Sequence, residues 1–441
     1  MTDHSEEGLK RVIGISGLTL SIITSVIGAG IFALPGIVSN SMGAFGIFAY
    51  VVCGILFATI ILCYAEIGGR VTTSGGSYAY VEAAFGHFPG FIVNWMYFFG
   101  WGIVGSAALM NVVADSLSSF NPIFGTLVGK AMLIFVLVSF MIFINVVGTK
   151  QSMWLVKIMT IIKLIPLAVI IILGLGLIKT SNLHWDHAPS FNVFSSTTLV
   201  LFFAFAGFEC ALGASGEIKN PKRTVPISIY LSGISVLIIY ILLQLVAQGV
   251  LGPEMQHLKT SALATVAGRI IGPVGSTILL ICACVSCFGN VLLDILTTPR
   301  TLFAGANNGL FPSFLGKVHP KFATPYFAVI TYGTLIFLFS LVGGFQKLAI
   351  MGSSIILLVY LAVIFSTLKL RFQKGRTSEK SFVAPGGLVT PVIAIVAIIW
   401  LLSSLTLREL LWTLIFIATI CVIYVVMYFV KNQKSLELSS K

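Results

Sequence analysis

The feature that most constrains this chain is a succession of apolar runs, each long enough to cross a bilayer, following one another almost from end to end. A spanning helix takes about 20 apolar residues, and about twelve such segments can be counted. In hydrocarbon every backbone polar group must be satisfied within the structure, which leaves helices and closed barrels. Barrel strands alternate apolar and polar residues over about ten positions, whereas the runs here are unbroken for much longer. The expected class is therefore all-α and integral to the membrane. Composition agrees. Hydrophobic residues make up 57% of the 441 positions and charged residues 9%, against about 25% charged in an ordinary soluble domain. Soluble, disordered and rod-like classes are excluded.

The spans fall at about 12–39, 43–69, 89–118, 126–146, 152–178, 192–216, 225–250, 268–304, 325–343, 347–370, 386–405 and 408–431. The organisation expected is a tail over 1–11, five helices over 12–178, five more over 192–370, a basic linker over 371–385, two last helices over 386–431 and a polar tail over 432–441. The first apolar run lacks a short core followed by a small-residue cleavage site, so it is expected to be retained.

The net charge of +12 follows topology. With a cytoplasmic N-terminus and alternating spans, nineteen of the 26 Lys and Arg fall in cytoplasmic tails, loops and span ends, six lie on the outer side, and Lys163 is left inside a span. That is the positive-inside pattern. No nucleic-acid partner is expected, the lipid bilayer is, and both termini are placed in the cytoplasm of a multi-pass cell-membrane protein. The seven cysteines all lie in apolar segments. Cys282, Cys284 and Cys287 point to different sides of a helix, so no metal site is expected, and no cofactor. His184 and His187 read as loop residues, and Asp115 and Glu66, near span ends, as solvated acids.

Two spans do not read as continuous helices. The first contains Gly28-Ala29-Gly30-Ile31-Phe32 and then Pro35; the sixth contains Phe205-Ala206-Gly207-Phe208-Glu209. Glycine weakens a helix interior by about 1 kcal/mol relative to alanine. In a bilayer, unwound backbone is tolerated where it lines a cavity, and interrupted helices at corresponding positions in two halves point to a transporter's central site. A helix start offers N–H groups to an anion; a helix end offers carbonyls to a cation. Two such breaks suit a zwitterionic amino acid.

These residues resemble the amino acid–polyamine–organocation superfamily of transporters. The resemblance is carried by Gly28-Ala29-Gly30-Ile31-Phe32-Ala33-Leu34-Pro35, Gly75-Gly76-Ser77-Tyr78-Ala79-Tyr80, Asn145-Val146-Val147-Gly148-Thr149-Lys150, Phe205-Ala206-Gly207-Phe208-Glu209, Lys219-Asn220-Pro221, Gly309-Leu310-Phe311-Pro312 and Ala323-Thr324-Pro325. It implies a LeuT-like fold: two inverted five-helix repeats with helices 1 and 6 broken, plus two further helices. It also implies amino acid or amine transport by alternating access, and leaves a homodimer open. By this likeness a substrate carboxylate meets the amides of Gly28, Ala29 and Gly30, and its amino group meets carbonyls near Val26, Phe203 and Ala206. Phe203, Phe205 and Phe208 are candidates for pocket wall and gate. The family's arginine/agmatine antiporters carry tryptophan where Phe203 and Asp294 stand here, so that activity is not carried over.

Charged residues inside spans carry the coupling and gating expectations. Lys163, in Lys163-Leu164-Ile165-Pro166, is too deep to snorkel, and an intramembrane lysine costs at least about 2.5–3.5 kcal/mol. The resemblance implies that it stands at a sodium-site position of sodium-independent members; the plainer reading is an ammonium bonded to carbonyls of spans 1 and 8. Glu209 reads as a proton-linked gate, as a link to span 1 or 7, or as a cap of the half-helix that follows. Asp294 reads as an attractor of a cationic substrate group or as an ion pair with a nearby residue such as Arg300. The function expected is secondary active amino acid transport, sodium-independent and proton-coupled or exchanging. The alternatives are a polyamine or amine antiporter of the same fold and a sensor that has lost transport. No enzyme motif is present: there is no His-Glu-x-x-His, Gly-x-Ser-x-Gly or phosphate-binding Gly-Lys-[Ser/Thr].

Overall fold

A computed structural model describes residues 13–28, 30–72, 75–147, 149–185, 187–258, 261–307, 312–322, 324–373 and 382–439. The expected tail over 1–11, part of the 371–385 linker, Gly148, Ala323 and Gly309-Leu310-Phe311 lie outside the described residues. In chain order the helices are α1 (Ile15–Val26), α2 (Gly30–Met42), α3 (Gly46–Arg70), α4 (Ser77–Phe85), α5 (His87–Trp95), a π-helical stretch (Met96–Ile103), α6 (Val104–Ser118), α7 (Leu127–Val147), α8 (Thr149–Gly174) and α9 (Phe191–Phe202). A 3-10 helix (Phe208–Glu217) follows, then α10 (Pro221–Leu251), α11 (Ala262–Ile271), α12 (Pro273–Thr297), α13 (Pro299–Asn307), α14 (Tyr326–Ser340), α15 (Phe345–Phe372), α16 (Val389–Ser403) and α17 (Leu407–Ser439). Among the described residues the one extended pairing is a parallel bridge between Ile13 and Ile218.

Seven helical stretches among the described residues are long and apolar enough to cross a bilayer: Gly30–Arg70, His87–Ser118, Leu127–Val147, Pro221–His257, Pro273–Thr297, Phe345–Phe372 and Leu407–Met427. Shorter apolar helices include Ile15–Val26 and Phe191–Phe202, the halves that precede the two interruptions. Large apolar side chains stand outward, as at Leu127 (79% exposed) and Leu407 (73%), where only a lipid surface would cover them.

Two boundaries depart from expectation for local reasons. The run 268–304 is not one span. Gly272, at φ +85°, ends α11 with its N–H on the Gly268 carbonyl (2.8 Å), and Pro273 opens α12, the usual Gly-then-Pro punctuation. Pro299 likewise opens α13. At the other end of the chain α17 continues to Ser439, because Lys, Gln, Glu and Leu form helix well and no Gly or Pro interrupts them.

The chain forms two compact units. One takes Met1–Asn94, Leu164–Ala283 and Ser353–Leu405; the other takes Trp95–Lys163, Cys284–Gly352 and Thr406–Lys441. In the first, α10 packs along α3 and α1. Close approach is possible because Gly54 of α3 lies against Leu237 and Gly233 of α10 lies against Ile61, where an added Cβ would come within 2.0 and 2.3 Å, the small-residue packing typical of membrane helices. In the second, α14 packs on α6 and α7. Side-chain amides lock these helices: Asn111 donates to the Ser340 carbonyl (3.1 Å) and Asn145 to that of Leu292 (3.4 Å).

Glu66 is not solvated. It is fully buried at the end of α3. One carboxylate oxygen accepts from Arg70 (2.7 Å) and from Arg371 Nε (2.9 Å). The other accepts from a second Arg371 nitrogen and from the Ala384 N–H (2.9 Å). Arg371 also donates to the Gly387 carbonyl (2.7 Å). One acid thus ties α3, the end of α15 and the segment leading into α16. Removing one partner of a buried pair strands the others, so Glu66→Ala is expected to cost about 3–5 kcal/mol, read as a lowered thermal unfolding midpoint in detergent, with Glu66→Gln falling between it and the parent.

Candidate functional site

Both glycine-containing segments interrupt their helices, and both lie in the first unit. The first break is an inverse γ-turn. Ile27 sits at φ −73°, ψ 82°, and the Gly28 N–H bonds back to the Val26 carbonyl (2.8 Å), the three-residue geometry of that turn. Helix α2 then starts afresh at Gly30, so its first amides, Gly30 and Ile31, have no intrahelical acceptor. Ala29 lies outside the described residues.

The second break has a different cause. After Phe202 the chain makes tight turns, with Ala204 N–H on the Leu201 carbonyl (3.0 Å) and Phe205 N–H on that of Phe202 (3.0 Å). In a continuous helix the Gly207 N–H would bond the Phe203 carbonyl. Instead it donates to Glu209 Oε2 (3.1 Å). Gly207 takes φ +110°, open to glycine and costly for other residues. The acid and the glycine together divert the backbone, and the 3-10 helix Phe208–Glu217 begins there.

The two breaks touch. A Cβ on Gly30 would lie 2.7 Å from Ala204 Cα, and one on Gly207 would lie 3.0 Å from the Ser25 carbonyl oxygen. Tyr240, buried on α10, holds both: its hydroxyl lies 3.1 Å from the Val26 carbonyl and 2.9 Å from that of Ala204. Below the breaks, the Lys219 N–H bonds the Ile13 carbonyl (2.8 Å) and the Ser228 hydroxyl bonds that of Ile15 (3.1 Å). The turn that allows this has Asn220 at φ 43°, followed by Pro221.

The expected site residues lie around these contacts. The Val26 carbonyl already receives Gly28 N–H and the Tyr240 hydroxyl, so it and the Gly28 amide are committed within the protein. Phe205 and Phe208 are fully buried. Phe205 packs on Phe57 and Tyr240 (centroids 5.4 and 5.1 Å), and Phe208 on Tyr64 and Tyr360 (4.9 and 5.4 Å). They belong to an aromatic cluster beside the second break; Phe203 and Ala206 are also buried. Glu209 bonds to neither span 1 nor span 7. Besides capping Gly207 it accepts from the Tyr360 hydroxyl of α15 (2.6 Å), and its second oxygen is buried with no partner among the described residues.

In the second unit Lys163 is 2% exposed and donates to Asn290 Oδ1 of α12 (3.1 Å). Asp294, one turn further along, forms no ion pair with Arg300. Three hydroxyls hold it instead, those of Ser106 (2.7 Å), Thr298 (2.6 Å) and Tyr332. Asp115 pairs with Lys130 (3.0 Å).

Sequence reasoning missed Tyr240 and Tyr360. The available signal was a single tyrosine in an apolar run, since a buried hydroxyl has to find a partner. Gly207→Ala is expected to cost about 1–3 kcal/mol through the disfavoured φ, and Tyr240→Phe about 1–3 kcal/mol through the unsatisfied carbonyl. Thermal unfolding in detergent measures both.

The chain matches the sequence profile of the family described as Amino acid permease over residues 13–439. It is 29% identical to the serine/threonine exchanger SteT of Bacillus subtilis (strain 168), over 91% of this chain and 92% of that one. It is also 29% identical to the branched-chain amino acid permease BcaP of the same organism, over 98% and 96%. With the large neutral amino acids transporter small subunit 2 of Mus musculus it shares 29% identity over 73% of this chain and 63% of the relative. With the profile covering nearly its whole length, this all-helical chain belongs to the amino acid permease family of the amino acid–polyamine–organocation superfamily.

Proposed function

We propose that the protein is a secondary active transporter of amino acids, working in the cell membrane by alternating access, independent of sodium and either proton-coupled or exchanging. In this reading residues 12–178 and 192–370 are inverted five-helix repeats, residues 386–431 add two helices, and both termini are cytoplasmic. The observation that carries it is the meeting of two interrupted helices held by one tyrosine. Such a place presents helix-start amides beside helix-end carbonyls. The substrate carboxylate is assigned to the Gly30 amide at the start of α2 and, from the sequence alone, to that of Ala29; the ammonium group is assigned to carbonyls of the second break, around Phe203 and Ala206. Phe203, Phe205 and Phe208 are the aromatics assigned to the pocket wall and gate. The three relatives are named for serine and threonine, branched-chain and large neutral amino acids, and a neutral side chain is the class favoured here.

Coupling is assigned to Lys163, a buried cation where sodium-driven members would hold their ion, and to Glu209, whose carboxylate shapes the second break. Purified protein in liposomes should take up or exchange at least one neutral amino acid, equally well in sodium and in choline. Failure to move any amino acid or amine would sink the reading. Lys163→Met should abolish transport or its response to an imposed proton gradient; gradient-driven uptake equal to the parent's would remove Lys163 from the mechanism. Glu209→Gln keeps an oxygen for the Gly207 N–H, whereas Glu209→Ala does not. If the carboxylate is proton-linked, the glutamine variant should transport without responding to pH; if it is only a cap, Gln should behave as the parent and Ala should lose activity.

A further inference from the structure

Two acids of this protein lie among apolar helices in opposite surroundings. Glu66 is clamped by two arginines, donors that cannot accept. Asp294 is held by hydroxyls alone: Oδ2 accepts from Ser106 and Tyr332, and Oδ1 from Thr298. No Lys, Arg or His among the described residues pairs with it. We propose that Asp294, with Ser106, Thr298 and Tyr332, is a proton-binding site used in the transport cycle. The inference rests on the proton-coupled reading above and gives it a second group, in the other unit from Glu209.

Geometry makes such a site: Asp294 lies in the last turn of α12 and three hydroxyls converge on its two oxygens. Hydroxyls serve both states because each can donate or accept. When hydronium delivers a proton, water leaves, Asp294 becomes a carboxylic acid and donates to one hydroxyl. That hydroxyl turns its own proton elsewhere; for Ser106 the carbonyl one turn back is within reach. Release on the opposite side reverses the step, so atoms and charge balance.

The surroundings are built around this cradle. The segment before Ser106, Met96–Ile103, is π-helical, a wide turn frequent at functional sites. Gly102 in it lies under the tyrosine, where a Cβ would come 2.6 Å from the Tyr332 hydroxyl. Ser106 and Tyr332 are buried while Asp294 is half-buried, so the acid has an open side and a closed back. Of the titratable groups on the elements packed here, Tyr332 on α14 bonds to it directly. Lys163 on α8 is one turn away through Asn290, Cys284 and Cys287 lie earlier on α12, Asp115 on α6 is paired with Lys130 of α7, and Arg300 stands exposed on α13.

The test uses the full chain in liposomes. Asp294→Asn keeps the size and an acceptor oxygen but takes no proton. It is expected to move amino acid at the same rate with and without an imposed proton gradient, while the parent responds to the gradient. Infrared difference spectra between neutral and acid pH should show a carboxylic acid carbonyl band that is lost in Asp294→Asn and shifted in Tyr332→Phe, which keeps the acid and removes one hydroxyl. An Asp294→Asn variant that follows the gradient as the parent does, or an unchanged band in both variants, overturns the proposal. A parent that exchanges amino acids without any response to the gradient overturns it too and leaves the transport reading standing. A parent that moves no amino acid overturns the transport reading instead, and the band then decides alone whether Asp294 takes a proton.

Discussion

Everything in this structure follows from the need to give each backbone N–H and C=O a partner where no water is at hand. A continuous helix meets that need by itself; a broken one has to recruit help, and the help identifies the break. At the first interruption a γ-turn returns the Gly28 N–H to the Val26 carbonyl. At the second a glutamate takes the Gly207 N–H. Between them Tyr240 serves one carbonyl from each. The unwound segments are therefore specified by side chains and are not merely weak points in a helix.

The interior charges follow the same logic with different answers. Glu66 is neutralised by arginines and joins three parts of the first unit as a structural knot. Lys163 donates to a neutral amide. Asp294 rests on hydroxyls that can reverse their roles. The nature of the partner, more than depth in the apolar layer, separates an acid that holds the fold from one that can do chemistry.

Much of this was legible in the order of residues. Long apolar runs announced a membrane helical protein, and Gly28-Ala29-Gly30 and Phe205-Ala206-Gly207 marked where two helices give way, because glycine's cost and freedom are local properties. What closes the breaks was not legible. Tyr240 reaches Val26 across 214 positions of sequence, and nothing around it says where its hydroxyl goes. Glu66 looked like an acid at a span end because its partner, Arg371, lies 305 positions away. The partners of Phe205 and Phe208, namely Phe57, Tyr64, Tyr240 and Tyr360, were not legible either.

The tyrosine at the junction has a single hydrogen to share between two oxygens. Val26 has a second donor in Gly28, so it can let the hydroxyl go and remain satisfied. Ala204 is served by this hydroxyl at the shorter distance of 2.9 Å and has more to lose. The fastening is therefore lopsided: without the ring's hydroxyl, the Val26 oxygen still has a donor while that of Ala204 loses one.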